Sequence, residues 1–175
     1  MTTQIPPLVH TFPATAVLIG CGSVAKPNLI TCSWFGTVCS EPPMVSVSIR
    51  DNRFSYPLVH DSWEFTVNIP RVSDLELIKY CGTKSGRDVN KFEQFGLTAA
   101  LAEPLEQAPM IANFPLVLAC KVRHELKLGT HYVFIAEVMA IHADEKLVRP
   151  SQRPDPFCTD QLVYLDGRYW RLAPV

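Results

Sequence analysis

Short hydrogen-bonding side chains recur at every second position in three stretches of the chain: Thr31 and Ser33, Ser46 and Ser48, Thr66 and Asn68. Residues two apart on an extended strand share a face, so each pair presents neutral donors and acceptors on one surface. Lysine or glutamate would serve equally well on a surface that met only water. Ser, Thr and Asn suit a surface lying close to a flat polar ligand or to another subunit, although any single pair also reads as ordinary edge or solvent positions. Thiol and metal chemistry have weaker support. The six cysteines, at 21, 32, 39, 81, 120 and 158, form no CxxC pair. Those at 21, 32, 39 and 120 sit in apolar runs, where cysteine packs as a small hydrophobe. We expect free thiols in a reducing cytoplasm and no disulfide framework. The five histidines, at 10, 60, 124, 131 and 142, show no HExxH or related spacing, so no metal site is expected.

The elements that position these residues are mostly strands. Ala14–Gly20 is a continuous β-branched and apolar run closed by Gly20, Gly22 and Pro27, and Leu29–Cys39 follows it. In Met44–Arg50 and Glu64–Ile69 apolar and polar residues alternate, the mark of strands with one buried face. Pro115–Leu128 and His131–His142 read as two longer strands joined at Gly129-Thr130. A last hairpin flanks Asp166-Gly167, a strong two-residue turn. Helices are short: Ser55–Asp61 with Ser55 as N-cap, Ser73–Cys81 with a Ser73/Glu76 capping box, and Asp88–Phe95 capped by Asp88.

With 175 residues and 19.6 kDa, the chain has the length of one domain, able to bury about 70% of its unfolded surface. We expect residues 1–175 to form a single domain, with the Pro-rich 148–156 stretch opening a C-terminal tail (148–175) that packs back. Hydrophobic residues make up 47% and charged residues 19%, which excludes a disordered chain. Sixteen basic against seventeen acidic residues leave a net charge of −1, so no nucleic-acid partner is expected. The N-terminus lacks a basic region followed by an apolar run, and the most apolar stretch, Ala14–Cys21, is too short to span a bilayer. Neither a secretory signal nor a membrane partner is expected.

The string GSVAKPNLITCSWFGTVCSEPPMVSVSIR resembles the opening of the flavin reductase-like, FMN-binding split-barrel family, most closely its flavoredoxin branch. SGRDVNKFEQFGL and LGTHYVFIAEV match two further blocks of that family in the right order, and the likeness covers about residues 10–145. The resemblance implies a mainly β fold with short helices, a six-stranded Greek-key split β-barrel, assembled as a homodimer with FMN bound non-covalently near the interface. Lys91, with Arg87 four residues earlier, supplies charge for a phosphate, and Ser55 at a helix start supplies a hydroxyl. Asn28 matches a position used at the flavin and carries both a donor and an acceptor; a turn residue after Pro27 is the plain alternative. Trp34 matches a flavin-contacting aromatic that is otherwise core. Thr31 and Ser33 would share a strand face, as would Ser48 and Arg50. His131 matches a position near the cofactor, and Tyr164 an aromatic that the family often places over the flavin.

Departures from the family's pattern are Leu29 and Ile30 beside Asn28, and Cys32, which reads as packing. No GxGxxG fingerprint occurs, so NAD(P)H would bind transiently over the flavin. The implied function is an FMN-binding oxidoreductase, either an NAD(P)H:flavin reductase or a flavoredoxin-like electron-transfer protein with a redox partner. The alternative is a non-catalytic FMN-binding or redox-sensing module, and a haem-binding split barrel stands further off. Hydride arrival at a flavin needs no protein acid or base, so no catalytic residue is assigned.

Overall fold

The computed structural model describes residues 2–9, 11–151 and 160–173. A two-residue strand β1 (Ala14–Thr15) leads into β2 (Val17–Ser23), β3 (Lys26–Cys32), β4 (Phe35–Ser40) and β5 (Pro43–Ile49). Helix α1 (Ser55–Ser62) precedes β6 (Glu64–Asn68), and α2 (Leu75–Thr83) and the single-turn α3 (Lys91–Gln94) follow it. A small hairpin, β7 (Ala99–Leu101) and β8 (Pro109–Ile111), comes before the long β9 (Leu116–Leu128) and β10 (His131–Ala143). The chain closes with β11 (Leu162–Leu165) and β12 (Arg168–Arg171).

The main sheet runs β3-β2-β6-β9-β10-β5-β4, and every pairing in it is antiparallel. It holds seven strands where six were expected, because the expected strand 29–39 breaks at Ser33 and Trp34 into β3 and the edge strand β4. The sheet curls around one core to which both of its ends contribute: Cys32 and Ile30 of β3 meet Val45, Val47 and Ile49 of β5, with Phe35 of β4 packed alongside. A second core lies outside it. Leu18 and Leu29 face Leu77, Ile78 and Cys81 of α2 and Phe92 of α3. With both faces covered, β2 reads as a continuous apolar run. Gly20 lies at its centre because a Cβ there would stand 2.3 Å from Thr66 Oγ1 and 2.4 Å from the Pro109 carbonyl.

The β7–β8 hairpin covers the polar face of β6. Thr66 donates to Pro109 O at 2.7 Å, while Asn68 donates to Leu18 O and Thr66 Oγ1 and accepts from the Ile111 N–H at 3.0 Å. These two residues are fully buried. Of the three polar pairs, Thr66/Asn68 is thus an internal clamp and not a ligand surface. Glu64 at the start of β6 accepts from the N–H groups of Glu106, Gln107 and Ala108 and from Lys121 Nζ at 2.9 Å, so it ties the same insert to the sheet.

Helix boundaries moved by small amounts, for local reasons. Phe54 occupies the α1 cap and Ser55 is the first helical residue. Asp74, not Ser73, closes the turn before α2 by accepting from the Arg71 N–H at 2.8 Å. Asn90 caps α3 through bonds from the Phe92 and Glu93 N–H groups, which leaves Asp88 in the preceding loop. β11 pairs with β1 and β12, and the Asp166-Gly167 turn has φ of 49° and 77°, as a two-residue hairpin loop of mirror-image type requires. Cys21, Cys32, Cys39, Cys81 and Cys120 are free thiols, and Cys158 lies outside the described residues. No helix among the described residues is long and apolar enough to cross a membrane.

Candidate functional site

Strand β3, the start of α1 and the loop between α2 and α3 enclose a hollow of about 170 Å³. Arg53, Lys84, Arg87 and Lys91 line it, and no acidic side chain does. Lys91 is buried at 3% exposure, and its ammonium donates to the Leu29 carbonyl of β3. Burial pulls its pKa below the ordinary lysine value, with the Cys81, Cys21 and Cys32 thiols opposing and Arg53 adding to that pull. An ammonium has three N–H donors, so the Leu29 bond leaves capacity for an anion. Arg87 lies over the Phe54 ring and donates to the Asn52 carbonyl at 3.1 Å. Among the described residues Arg53 makes no ion pair.

Ser55 lines the same hollow and is 2% exposed. Asn28 Nδ2 donates to its Oγ at 2.8 Å and also contacts Cys21 Sγ at 3.4 Å. With Asn28 as donor, the Ser55 hydroxyl keeps its own proton to give. Asn28 itself does not line the hollow. Gly86 lies against it: a Cβ at 86 would fall 2.2 Å from Asn28 Oδ1 and 2.5 Å from Phe54 Cδ1. The loop backbone therefore packs directly onto Asn28, which acts as a positioning residue under the cleft. Asn28 lines a second hollow, with Phe54, Gly86 and Arg87, that adjoins the first.

Two further hollows adjoin the first through Thr31 and Arg53, which line all three. One, of about 230 Å³, is bounded by Ser33, Trp34, Ser48, Arg50 and His131. The other, of about 450 Å³, is bounded by Ser33, Lys79, Thr83, Tyr164 and Tyr169. The Thr31 hydroxyl donates to Ile78 O of α2 at 2.6 Å, so it pins α2 to β3 and faces the cleft only as an acceptor. Since β3 ends at Cys32, Ser33 reaches the cleft from a bend and not from the shared strand face that was expected.

Trp34 and His131 stack with ring centroids 4.3 Å apart and planes 22° from parallel. Arg50 Nε donates to His131 Nε2 at 3.4 Å, a bond that requires Nε2 to be unprotonated. Nδ1 then carries the proton, 2.9 Å from Thr130 Oγ1. Burial, then Arg50, then Arg53 lower the His131 pKa from 6.5. In a proton NMR titration the His131 ring is expected to change charge below pH 6.5, and Arg50→Ala should shift that midpoint upward. A midpoint above 6.5 would contradict the geometry.

Nine of the ten expected site residues thus line one continuous cleft: Thr31, Ser33, Trp34, Ser48, Arg50, Ser55, Lys91, His131 and Tyr164. Reading the sequence missed Arg53, Lys84, Ser85 and Tyr169. Tyr169 was within reach, since it pairs with Tyr164 across the Asp166-Gly167 turn. Arg53 carried no local signal. The Lys91 hollow combines four cations with the Ser55 and Ser85 hydroxyls and a loop on which only glycine fits at 86, a donor set suited to a phosphate monoester.

Residues 9–173 match the model of the flavin reductase like domain. The actinorhodin polyketide dimerase of Streptomyces coelicolor is 30% identical over 149 residues, 84% of this chain and 72% of that protein. Flavoredoxin of Desulfovibrio vulgaris (Miyazaki F) superposes with a TM-score of 0.90 at 27% identity, covering 100% of this chain and 95% of that one. Flavoredoxin of Methanosarcina acetivorans gives 0.92 at 27% identity, with 100% and 93% covered.

Proposed function

The chain belongs to the flavin reductase-like family and is a flavin-dependent oxidoreductase with a split-barrel fold, and from that premise we propose that its cofactor is FMN, held with the phosphate in the Lys91 hollow. Lys91, Arg53, Lys84 and Arg87 would neutralise the phosphate, and Ser55, oriented by Asn28, would donate to it. Thr31, Ser33, Trp34, Ser48, Arg50 and His131 would lie along the flavin, with Tyr164 bounding the cleft on its C-terminal side. When bound, FMN supplies the hydride and electron chemistry, taking two electrons from NAD(P)H or from a protein donor. The chain's own work is to bind, orient and shield. Lys91 and Arg53 fix the anionic end, and the Trp34–His131 stack gives a flat apolar wall. Neutral His131 withholds positive charge beside that wall.

The observation that carries this reading is the hollow with four cations and no acid beside a stacked aromatic wall. The homodimer belongs to the same proposal. Leu126 and Leu128 are half exposed at the tip of the β9–β10 hairpin, opposite Val133 and His131 in register, so that a second copy placed there would cover apolar surface next to Trp34. We take residues 1–175 as one domain whose 148–175 tail supplies Tyr164, working in a cytoplasm that keeps its thiols reduced.

The test is a flavin titration followed by anaerobic NADH or NADPH. The flavin-free protein is expected to bind FMN with quenched fluorescence, and the loaded protein to bleach with a nicotinamide or with a reduced protein donor. A chain that takes up no FMN would overturn the reading. Uptake without reduction by any donor would favour the non-catalytic binding module.

A further inference from the structure

Ser55 and His131 face the cleft from separate elements, Ser55 in the Lys91 hollow and His131 beside Trp34. The residues that follow them in the chain, Tyr56 and Tyr132, turn the other way and pack against the core inside the barrel. Their ring centroids lie 4.6 Å apart, and Phe134, next on the inner face of β10, stands 6.0 Å from Tyr56. Neighbours on a strand point to opposite faces, so the seat of Tyr132 inside sets the place of His131 outside. Tyr56 belongs to the first turn of α1, the turn that presents Ser55. Glu125 of β9 ties these pieces together. The Tyr56 hydroxyl donates to its Oε1 at 3.0 Å, and His60 Nδ1–H donates to its Oε2 at 2.7 Å. His60 lies one turn beyond Tyr56 on α1, and the two rings stack at 5.5 Å with planes 24° apart. Both carboxylate oxygens are thus engaged, on a side chain that is 13% exposed. Burial and then Glu125 raise the Tyr56 pKa, so its hydroxyl keeps the proton it donates.

None of Tyr56, His60, Glu125 and Tyr132 lines the three hollows of the cleft, so the cluster acts on a ligand only by placing the residues that do. A cofactor gripped at a phosphate and along a ring needs both grips placed together, to within about 0.5 Å. Resting on the reading that Ser55 and His131 serve FMN, we propose that Glu125 is a positioning residue for that cofactor. By holding Tyr56 and His60 to β9, it fixes the first turn of α1, and with it Ser55, relative to His131 and the aromatic wall. The far end of α1 is held otherwise, by the Val122 N–H donating to Trp63 O at 2.8 Å. Loss of Glu125 therefore frees the Ser55 end and leaves the helix attached.

The test is FMN titration of the parent and four variants, followed by fluorescence, with visible circular dichroism of the bound flavin as the second readout. Glu125→Ala is expected to weaken FMN binding by roughly tenfold and to change the dichroism of what remains bound. Glu125→Gln keeps an oxygen for the Tyr56 hydroxyl and an amide for a neutral His60, and should restore affinity to within about twofold with the parent's spectrum. Tyr56→Phe keeps the ring and loses only the hydroxyl bond. It should weaken FMN by roughly threefold, and it carries the test should Glu125→Ala not fold. Glu64→Gln, in the buried clamp on β6, is the control for stability alone: it melts lower than the parent yet binds FMN within about twofold. Parent-like affinity and dichroism in both Glu125→Ala and Tyr56→Phe overturn the positioning role. A loss that Glu125→Gln does not restore, or that Glu64→Gln equals, overturns it too. Failure of the parent itself to bind FMN overturns the proposed function, and the positioning role falls with it.

Discussion

Replacing Lys91 by methionine is expected to weaken FMN binding by roughly a hundredfold, the loss of a desolvated charge-assisted contact, while riboflavin, which has no phosphate, binds within about twofold of the parent. The reason lies in the environment of the ammonium. It is buried against the Leu29 carbonyl, with its pKa held down chiefly by burial. A lysine whose folded pKa is lowered costs stability while it is charged, and that cost disappears only as pH rises toward the ordinary lysine value. At neutral pH the flavin-free protein therefore carries a penalty that an anion in the hollow relieves. Methionine of similar length removes both the penalty and the anion contact. Flavin-free Lys91→Met is accordingly expected to melt no lower than the parent. Fluorescence titration with FMN and riboflavin, together with thermal denaturation, checks both halves. An equal loss for the two flavins would show that Lys91 shapes the fold and does not bind phosphate.

Glu64→Gln should act in the opposite way, with a large loss of stability. The Glu64 carboxylate is 1% exposed and accepts from three backbone N–H groups and from Lys121. Burial alone would raise its pKa, yet the Lys121 bond and the backbone donors together hold it below 4.5. Breaking a buried pair costs about 3–5 kcal/mol. Lys121 is 34% exposed, and water screens its end of the pair, so the lower figure applies; it corresponds to a melting point roughly 6–12 °C lower for a chain of this size. A group with a depressed folded pKa contributes stability above its unfolded value and loses it as pH falls through the folded one. The parent should therefore lose stability progressively below about pH 4.5, and Glu64→Gln should lack that component. A melting point within about 2 °C of the parent's would refute the clamp.

These two residues also mark how much the sequence reveals. Strand content was legible wherever one face is buried, because alternation is a local signal: β5 and β6 show it directly, and the Asp166-Gly167 hairpin follows from two residues that tolerate positive φ. Which polar face meets a ligand was not legible. Thr66 and Asn68 carry the same alternation as Ser46 and Ser48, yet the β7–β8 hairpin, more than forty residues downstream in Pro109 and Ile111, buries them. The break at Ser33 and Trp34 was also hidden, since an apolar run with small residues reads as one strand until the sheet bends. The surroundings of Asn28 were hidden as well: Gly86, fifty-eight positions later, lies against its Oδ1, and its Nδ2 donates to Ser55.

What the sequence determined alone was the β-rich pattern, the short helices and the ordered motif blocks, whose family resemblance pointed to nine of the residues that line the cleft. Each of these depends on neighbours a few positions apart. Tertiary structure decided the cleft's electrostatics. Lys84, Arg87 and Lys91 lie within eight positions of one another, but Arg53 precedes α1 and joins them only when β3, α1 and the loop after α2 pack together. Coulomb interactions act through space, so a charge cluster assembled across the fold leaves no periodicity in the chain that encodes it.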